Sequence, residues 1–273
     1  MGIQVKIASL LLVVAWLTPA AQQLRQADTS TWDALLKQFV NEQHRVDYAR
    51  LKREGEARIN EYVTELGRAD EHSLSSDEKK ALLINAYNAF TIEWVLENYP
   101  VQSIWATASP FTQARHRLSG QTVSLDAIES ELRAMGDPRI HAALVCAARS
   151  CPPLRREAYD AARLDAQLDD NVRAWLGDPS LNTFDPEQAR ADVSPIFKWY
   201  AKDFDAYPGG LQGFLRRYAP APAVAALGQR RFDVRFKDYN WGLNDQSELG
   251  SSYSPFDFDV DRLRNWLRGL LHR

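Results

Sequence analysis

The 273-residue chain is poor in sulfur, with two cysteines and two methionines. It lacks a basic excess. Its formal charge is −3, which argues against a dedicated nucleic-acid binder, because phosphate recognition calls for clustered Lys and Arg. There is no fixed-period repeat and no long low-complexity stretch. Histidine is scarce, with five in all. The two cysteines, Cys146 and Cys151, form C-x4-C with one histidine nearby. That lacks the paired spacing of a zinc site, so neither a metal nor a cofactor is expected. The long apolar run that a membrane anchor needs is also missing. Residues Ile7–Leu17 are apolar apart from Ser9, an 11-residue stretch, whereas a span takes ~20.

That short run has a different meaning in its context. Lys6 precedes it, and Thr18-Pro19-Ala20-Ala21 follows with a helix breaker and small residues. A positive start, a short apolar stretch and a small-residue cleavage site are the marks of a secretory signal peptide. Residues 1–21 are expected to be removed, with cleavage near Ala20 or Ala21. The protein is then expected to be exported, periplasmic or secreted, with no membrane span in the mature chain. The remaining 252 residues have ordinary globular composition, since the whole chain is 45% hydrophobic and 25% charged. They read as one domain: an N-terminal helical extension (22–70), a motif-bearing core (71–205) and a C-terminal extension (206–273) completing the same unit.

Residues 29–65 read as helical, with Trp32, Leu35, Leu36 and Phe39 at helical spacing. Ser75 with Glu78 fits a capping box. The apolar run from Ala81 to Leu96 follows, and Asn98-Tyr99-Pro100 ends it. Asn85 and Asn88 lie inside this buried helix, three apart and so on one face. An unpartnered buried amide costs ~1–3 kcal/mol, so each must hold either backbone or a ligand. Residues 113–124 predict a hairpin turning at Ser119-Gly120. Ser124 or Asp126 caps a short helix over 126–135 that stops at Gly136. Periodicity leaves the apolar run 140–146 open between strand and helix. Residues 158–176 read as an amphipathic helix. Another helix follows Ser194-Pro195 and carries Phe197, Trp199, Tyr200 and Phe204, of which Phe197, Trp199 and Tyr200 read as core packing. Phe232, Val234 and Phe236 alternate as in a half-buried strand. A terminal helix places Val260, Leu263, Leu267 and Leu270 on one face. Helices with a few strands, not regularly alternating, predict an α+β fold: several helices around a small, mostly antiparallel sheet.

Ile84-Asn85-Ala86-Tyr87-Asn88-Ala89-Phe90, Ser124 to Glu129, Arg139 to Cys146 and Ser150-Cys151-Pro152-Pro153-Leu154 together resemble the domain-of-unknown-function family 547. Phe197-Lys198-Trp199-Tyr200 with Asp203-Phe204, and Tyr239-Asn240-Trp241 with Leu243-Asn244, resemble its later motifs. The resemblance implies a compact α+β domain with 140–146 as a buried strand. It also suggests an arrangement comparable with papain-like cysteine peptidases, an analogy of fold and not of role. The family pattern places a histidine after the Ile-Glu pair, where this chain has Ser130.

A cysteine nucleophile needs a nearby imidazole and a third group that orients the ring. The parts on offer are Cys151, His141 and Asn85, with Cys146, Asn88 and Glu129 as alternates. If 140–146 is a regular strand, His141 and Cys146 point to opposite faces and lie ~16 Å apart. Two readings therefore stand side by side. In one, a thiol hydrolase or transferase acts on peptide or amide bonds, with Cys151 as nucleophile, His141 as base and Asn85 as orienter or oxyanion donor. In the other, the chain is a non-catalytic binding or scaffold domain of the cell envelope whose cysteines pair. Either way the expected partner is a small-molecule or peptide ligand.

Overall fold

The computed structural model describes residues 28–227, 230–251 and 253. The expected signal peptide and the expected terminal helix lie outside the described residues. Among those residues, no helix is long and apolar enough to cross a membrane.

Three helices occupy the stretch expected to be one: α1 (Thr29–Phe39), α2 (Tyr48–Glu54) and α3 (Glu56–Arg68). The break after α1 is a short antiparallel bridge between Val40 and Val46. The second break sits at Gly55, where a Cβ would stand 2.6 Å from Leu51 Cδ1 and 2.9 Å from Phe39 Cε2. A side chain here would have to displace the ends of Leu51 and Phe39.

The central helix α4 (Ser76–Asn98) is the axis of the molecule. Its N-terminus carries the expected capping box. Ser75 Oγ accepts from the Glu78 N–H, and Glu78 accepts from the Ser75 N–H. Every residue from Ala81 to Ile92 is buried, as a helix with no polar face must be. The expected hairpin follows as β1 (His116–Leu118) and β2 (Gln121–Val123). Ser119 and Gly120 both have positive φ, the backbone that a two-residue hairpin requires. Then comes α5 (Leu125–Ala134), capped by Ser124, whose Oγ accepts from the Ala127 N–H.

The run 140–146 is not a strand. Pro138–Ala142 forms a 3-10 helix with Asp137 as its cap and Pro138 at the first position. Residues 143–148 continue as a buried loop. Proline fixes a helical φ, and the Asp137 carboxylate accepts from the Arg139 N–H at 3.1 Å. The loop then takes its backbone partners from side chains where a strand would take them from a neighbour. Asn88 donates to the Ala143 carbonyl at 2.9 Å and accepts from the Val145 N–H at 2.9 Å. This satisfies the buried polar backbone without a sheet.

Residues 161–163 form a 3-10 turn ahead of α6 (Leu164–Gly177), so the helix expected over 158–176 begins later. Strands β3 (Thr183–Asp185), β4 (Arg190–Val193) and β5 (Asp233–Phe236) form one sheet in the order β3-β4-β5, antiparallel and then parallel. Phe232 is buried and Phe236 is exposed, so the expected alternation holds at one end only. Between β4 and β5 lie α7 (Ile196–Trp199), α8 (Ala201–Asp205), α9 (Gly210–Tyr218) and α10 (Ala221–Leu227). Two packed cores result. One is built on α1–α5 with the 140–168 segment, and the other on Trp175, Phe197, Phe204 and Phe214. The fold is α+β: several helices and two small sheets.

Candidate active site

A cavity of about 340 Å³ lies between the two cores. The first core contributes Tyr87, Glu129, His141 and Cys146 to its wall, and the second contributes Trp199 and Tyr200. The buried loop explains why His141 and Cys146 share this wall. With a 3-10 turn at one end and a left-handed residue, Ala147 (φ 62°), at the other, the segment does not hold alternate side chains on opposite faces as a strand would. A left-handed alanine is strained. Here it reverses the chain after Cys146, and the Cys151 N–H then closes the turn on the Ala148 carbonyl at 3.1 Å.

That turn brings the sulfurs together. Cys146 Sγ and Cys151 Sγ are 2.6 Å apart, and both are free cysteines. Cys151 is buried, while Cys146 is partly exposed and lines the cavity. The backbone N–H groups of Cys146 and Ala148 both donate to Cys151 Sγ. The Tyr239 hydroxyl lies 3.4 Å from each sulfur. The two thiols titrate as a unit. Hydrogen bonds from Cys151 and then Tyr239 hold Cys146 below the ordinary cysteine range. Burial, and the neighbouring sulfur, push Cys151 well above it. Of the two, Cys146 is the sulfur that a ligand in the cavity can reach, since Cys151 is buried behind it.

His141 is positioned by a group that sequence reasoning missed. Its Nε2 lies 2.8 Å from Asp203 Oδ2. Asp203 is held in turn by a bidentate Arg133, Nε at 2.7 Å and Nη2 at 3.1 Å, which keeps its carboxyl below the usual carboxylate range. An ionised carboxylate only accepts, so Nε2 carries the proton and Nδ1 is the basic nitrogen. Tyr200 stacks on the ring at 4.0 Å between centroids. Burial lowers the imidazole to about 4, against the pull of Asp203, so at neutral pH it is an uncharged base. The 3-10 turn that carries His141 is itself anchored. Arg139 binds Asp137 and also Asp165 and Asp169 of α6, and Lys80 of α4 pairs with Asp137.

Glu129 lines the same cavity and accepts from the Tyr200 hydroxyl. Burial raises its carboxyl above the usual range, which favours the protonated form. Asn85 and Asn88 are placed elsewhere. Asn85 donates to the Tyr159 carbonyl at 2.8 Å and accepts from the Tyr159 N–H at 2.9 Å. Asn88 does the same for Ala143 and Val145. Neither lines the cavity. Asp203 and Tyr239 lay within motifs read from the sequence, but no periodicity or spacing links Asp203 to a histidine 62 positions away. Trp199, expected in the core, is 48% exposed.

The segment 239–249 closes the site from outside. Arg149 N–H donates to the Gly242 carbonyl, Ser150 N–H to the Asn240 carbonyl and Asn244 N–H to the Ala147 carbonyl. This strap carries Tyr239 and Trp241 into the cavity wall.

No curated protein and no solved structure matches the chain. Residues 72–176 match a family model described as "Protein of unknown function, DUF547". The wall that carries Cys146, His141 and Glu129 is thus similar to that family, whereas Trp199, Tyr200 and Tyr239 of the facing wall, and Asp203 behind His141, lie beyond the match.

Proposed function

We propose that the chain is an exported, cysteine-dependent hydrolase or transferase acting on peptide or amide bonds, with Cys146 as nucleophile in place of Cys151. One observation carries this reading. A thiol held below its ordinary range and a neutral imidazole oriented by a carboxylate line one cavity. The Cys146 sulfur would attack the amide carbonyl carbon, and the C–N bond would break to give a thioester and a free amine. His141 Nδ1 is the base that takes the thiol proton as substrate binds, and Asp203 stabilises the imidazolium that results. No hydrogen bond joins His141 to Cys146 in the free protein, and such contacts often tighten only in the complex. The imidazolium of His141 then returns the thiol proton to the leaving amine. Water or a second amine then releases the acyl group. Export is supported by Lys6, the 11-residue apolar run and the small residues at 20–21.

The test is acylation of the reduced full chain by p-nitrophenyl acetate, followed by mass spectrometry. One acetyl group on Cys146, absent from Cys146→Ser, is the expected result. No acylation of Cys146 would overturn the catalytic reading. N-terminal sequencing of protein recovered from the envelope should begin near residue 21.

A second reading is favoured by the 2.6 Å approach of the sulfurs, which puts them within reach of pairing. In it the cysteines form a disulfide and the cavity only binds. Titration of free thiols on the native, unreduced protein separates the two: two thiols support the first and none the second.

A further inference from the structure

The cavity has a chemical bias that goes beyond thiol chemistry. Its mouth is aromatic. Trp105 and Trp199 are the most exposed tryptophans among the described residues, at 41% and 48%. Both pack on Trp241, Trp199 nearly parallel at 5.7 Å and Trp105 edge-on at 5.5 Å. Tyr239 joins the same cluster at 4.5 Å from Trp241. Two exposed indoles on a soluble surface are an unusual exposure of apolar area unless something covers them.

Behind the rings the lining is acidic. Asp126 and Glu129 stand three residues apart on α5, on one face. Among the described lining residues there is no Lys or Arg. Arg133, one turn further along α5, is committed to Asp203 through two hydrogen bonds. Its guanidinium also lies 5.1 Å from the Tyr200 ring, outside the cavity lining. Ring faces carry negative potential and attract cations, most strongly at Trp. The side chains that border the cavity offer an anionic ligand no Lys or Arg, whereas an organic cation would meet both the ring faces and a carboxylate.

We infer that the site takes a substrate bearing an ammonium group, primary or alkylated, next to the bond that Cys146 attacks, with Trp105, Trp199 and Trp241 lining its berth and Glu129 facing its charge. This rests on the cavity being the active site, but recognition of the cation is separable from catalysis and is tested apart from it.

The probe is choline against 3,3-dimethylbutan-1-ol, its neutral carbon isostere, titrated into the full chain by calorimetry and tryptophan fluorescence. Choline is expected to bind at least 10-fold more tightly than the isostere, in the wild type and equally in Cys146→Ser. Glu129→Gln and Trp199→Leu should each weaken choline at least 5-fold while leaving the isostere within 2-fold. Equal binding of the two probes, tighter binding of the neutral one, or no choline binding would overturn the inference. A wild type that binds choline selectively but is not acylated at Cys146 would instead retain the inference about the ligand and discard the catalytic reading.

Discussion

Two pairs of polar side chains are held in this molecule on opposite terms. Asn85 and Asn88 spend their amides on backbone groups of Tyr159, Ala143 and Val145. Each clamps an irregular segment to α4, and neither borders the cavity. His141 and Asp203 are bonded to each other, yet the imidazole keeps a basic nitrogen that this bond does not use, and its ring lies in a cavity wall. Asn85, Asn88 and His141 are equally buried, and all four residues lie in motifs read from the sequence. What separates a clamp from a reactive group is whether its hydrogen-bonding capacity is used up by the fold, and whether it borders open space.

The comparison can be broken most decisively at the nucleophile. Cys146→Ser should lower turnover of an acyl substrate by at least about 10³-fold while leaving the thermal midpoint within ~2 °C, because serine nearly matches the volume of the thiol. Unchanged turnover would put Cys146 on the side of the clamps. Next in size is Asp203→Asn, expected to cost about 10²–10⁴-fold in kcat through the wrong tautomer of His141. The pH–rate profile should shift with it, which a merely destabilised protein would not show. On the other side, Asn88→Ala leaves the Val145 N–H and the Ala143 carbonyl buried without partners. It should cost about 2–4 kcal/mol in denaturant unfolding, with a residual kcat near wild type in the fraction that folds. A stability loss below ~0.5 kcal/mol would show that the clamp does not hold the loop.

A further effect, comparable in size, sharpens the contrast through pH. His141 sits at about 4 in the folded protein, below its unfolded value near 6.5. Between these values the unfolded chain binds a proton that the native chain does not, so stability rises with pH across that window. Acidification from about 6.5 to 4 should remove on the order of 3 kcal/mol. His141→Gln should flatten this stretch of the stability curve, whereas Asn85→Ala should leave its slope intact.

The clamps were legible in the sequence because a buried helix with no polar face makes each amide conspicuous, and Ser75 with Glu78 announced where that helix begins. The hairpin was legible for an equally local reason, the Ser119-Gly120 turn. The strand expected over 140–146 failed because an apolar run reports burial and not conformation. Pro138 and the capping Asp137 decided for a 3-10 turn, and Asn88 replaced the missing neighbour strand. With that change the expected separation of His141 and Cys146 disappeared. Asp203 and Tyr239 could be read as motif members but not as partners of His141 and the thiols. Those contacts join residues 62 and 93 positions apart, and local spacing carries no information about them. Trp199 was assigned to the core because an aromatic residue on a short helix looks the same whether it packs inward or rims a cavity.

The strap over residues 239–249 has a consequence in time as well as in space. It caps a turn whose cysteines are made 88 and 93 residues before Tyr239. As the chain emerges, Cys146 and Cys151 meet each other, and whatever oxidant or reductant surrounds them, before the hydroxyl that touches both sulfurs exists. The fate of the thiol pair is therefore open to its surroundings during synthesis and is narrowed only when the last part of the described chain folds back. A fragment ending at residue 176, where the family match stops, would be held permanently in that early, uncovered state.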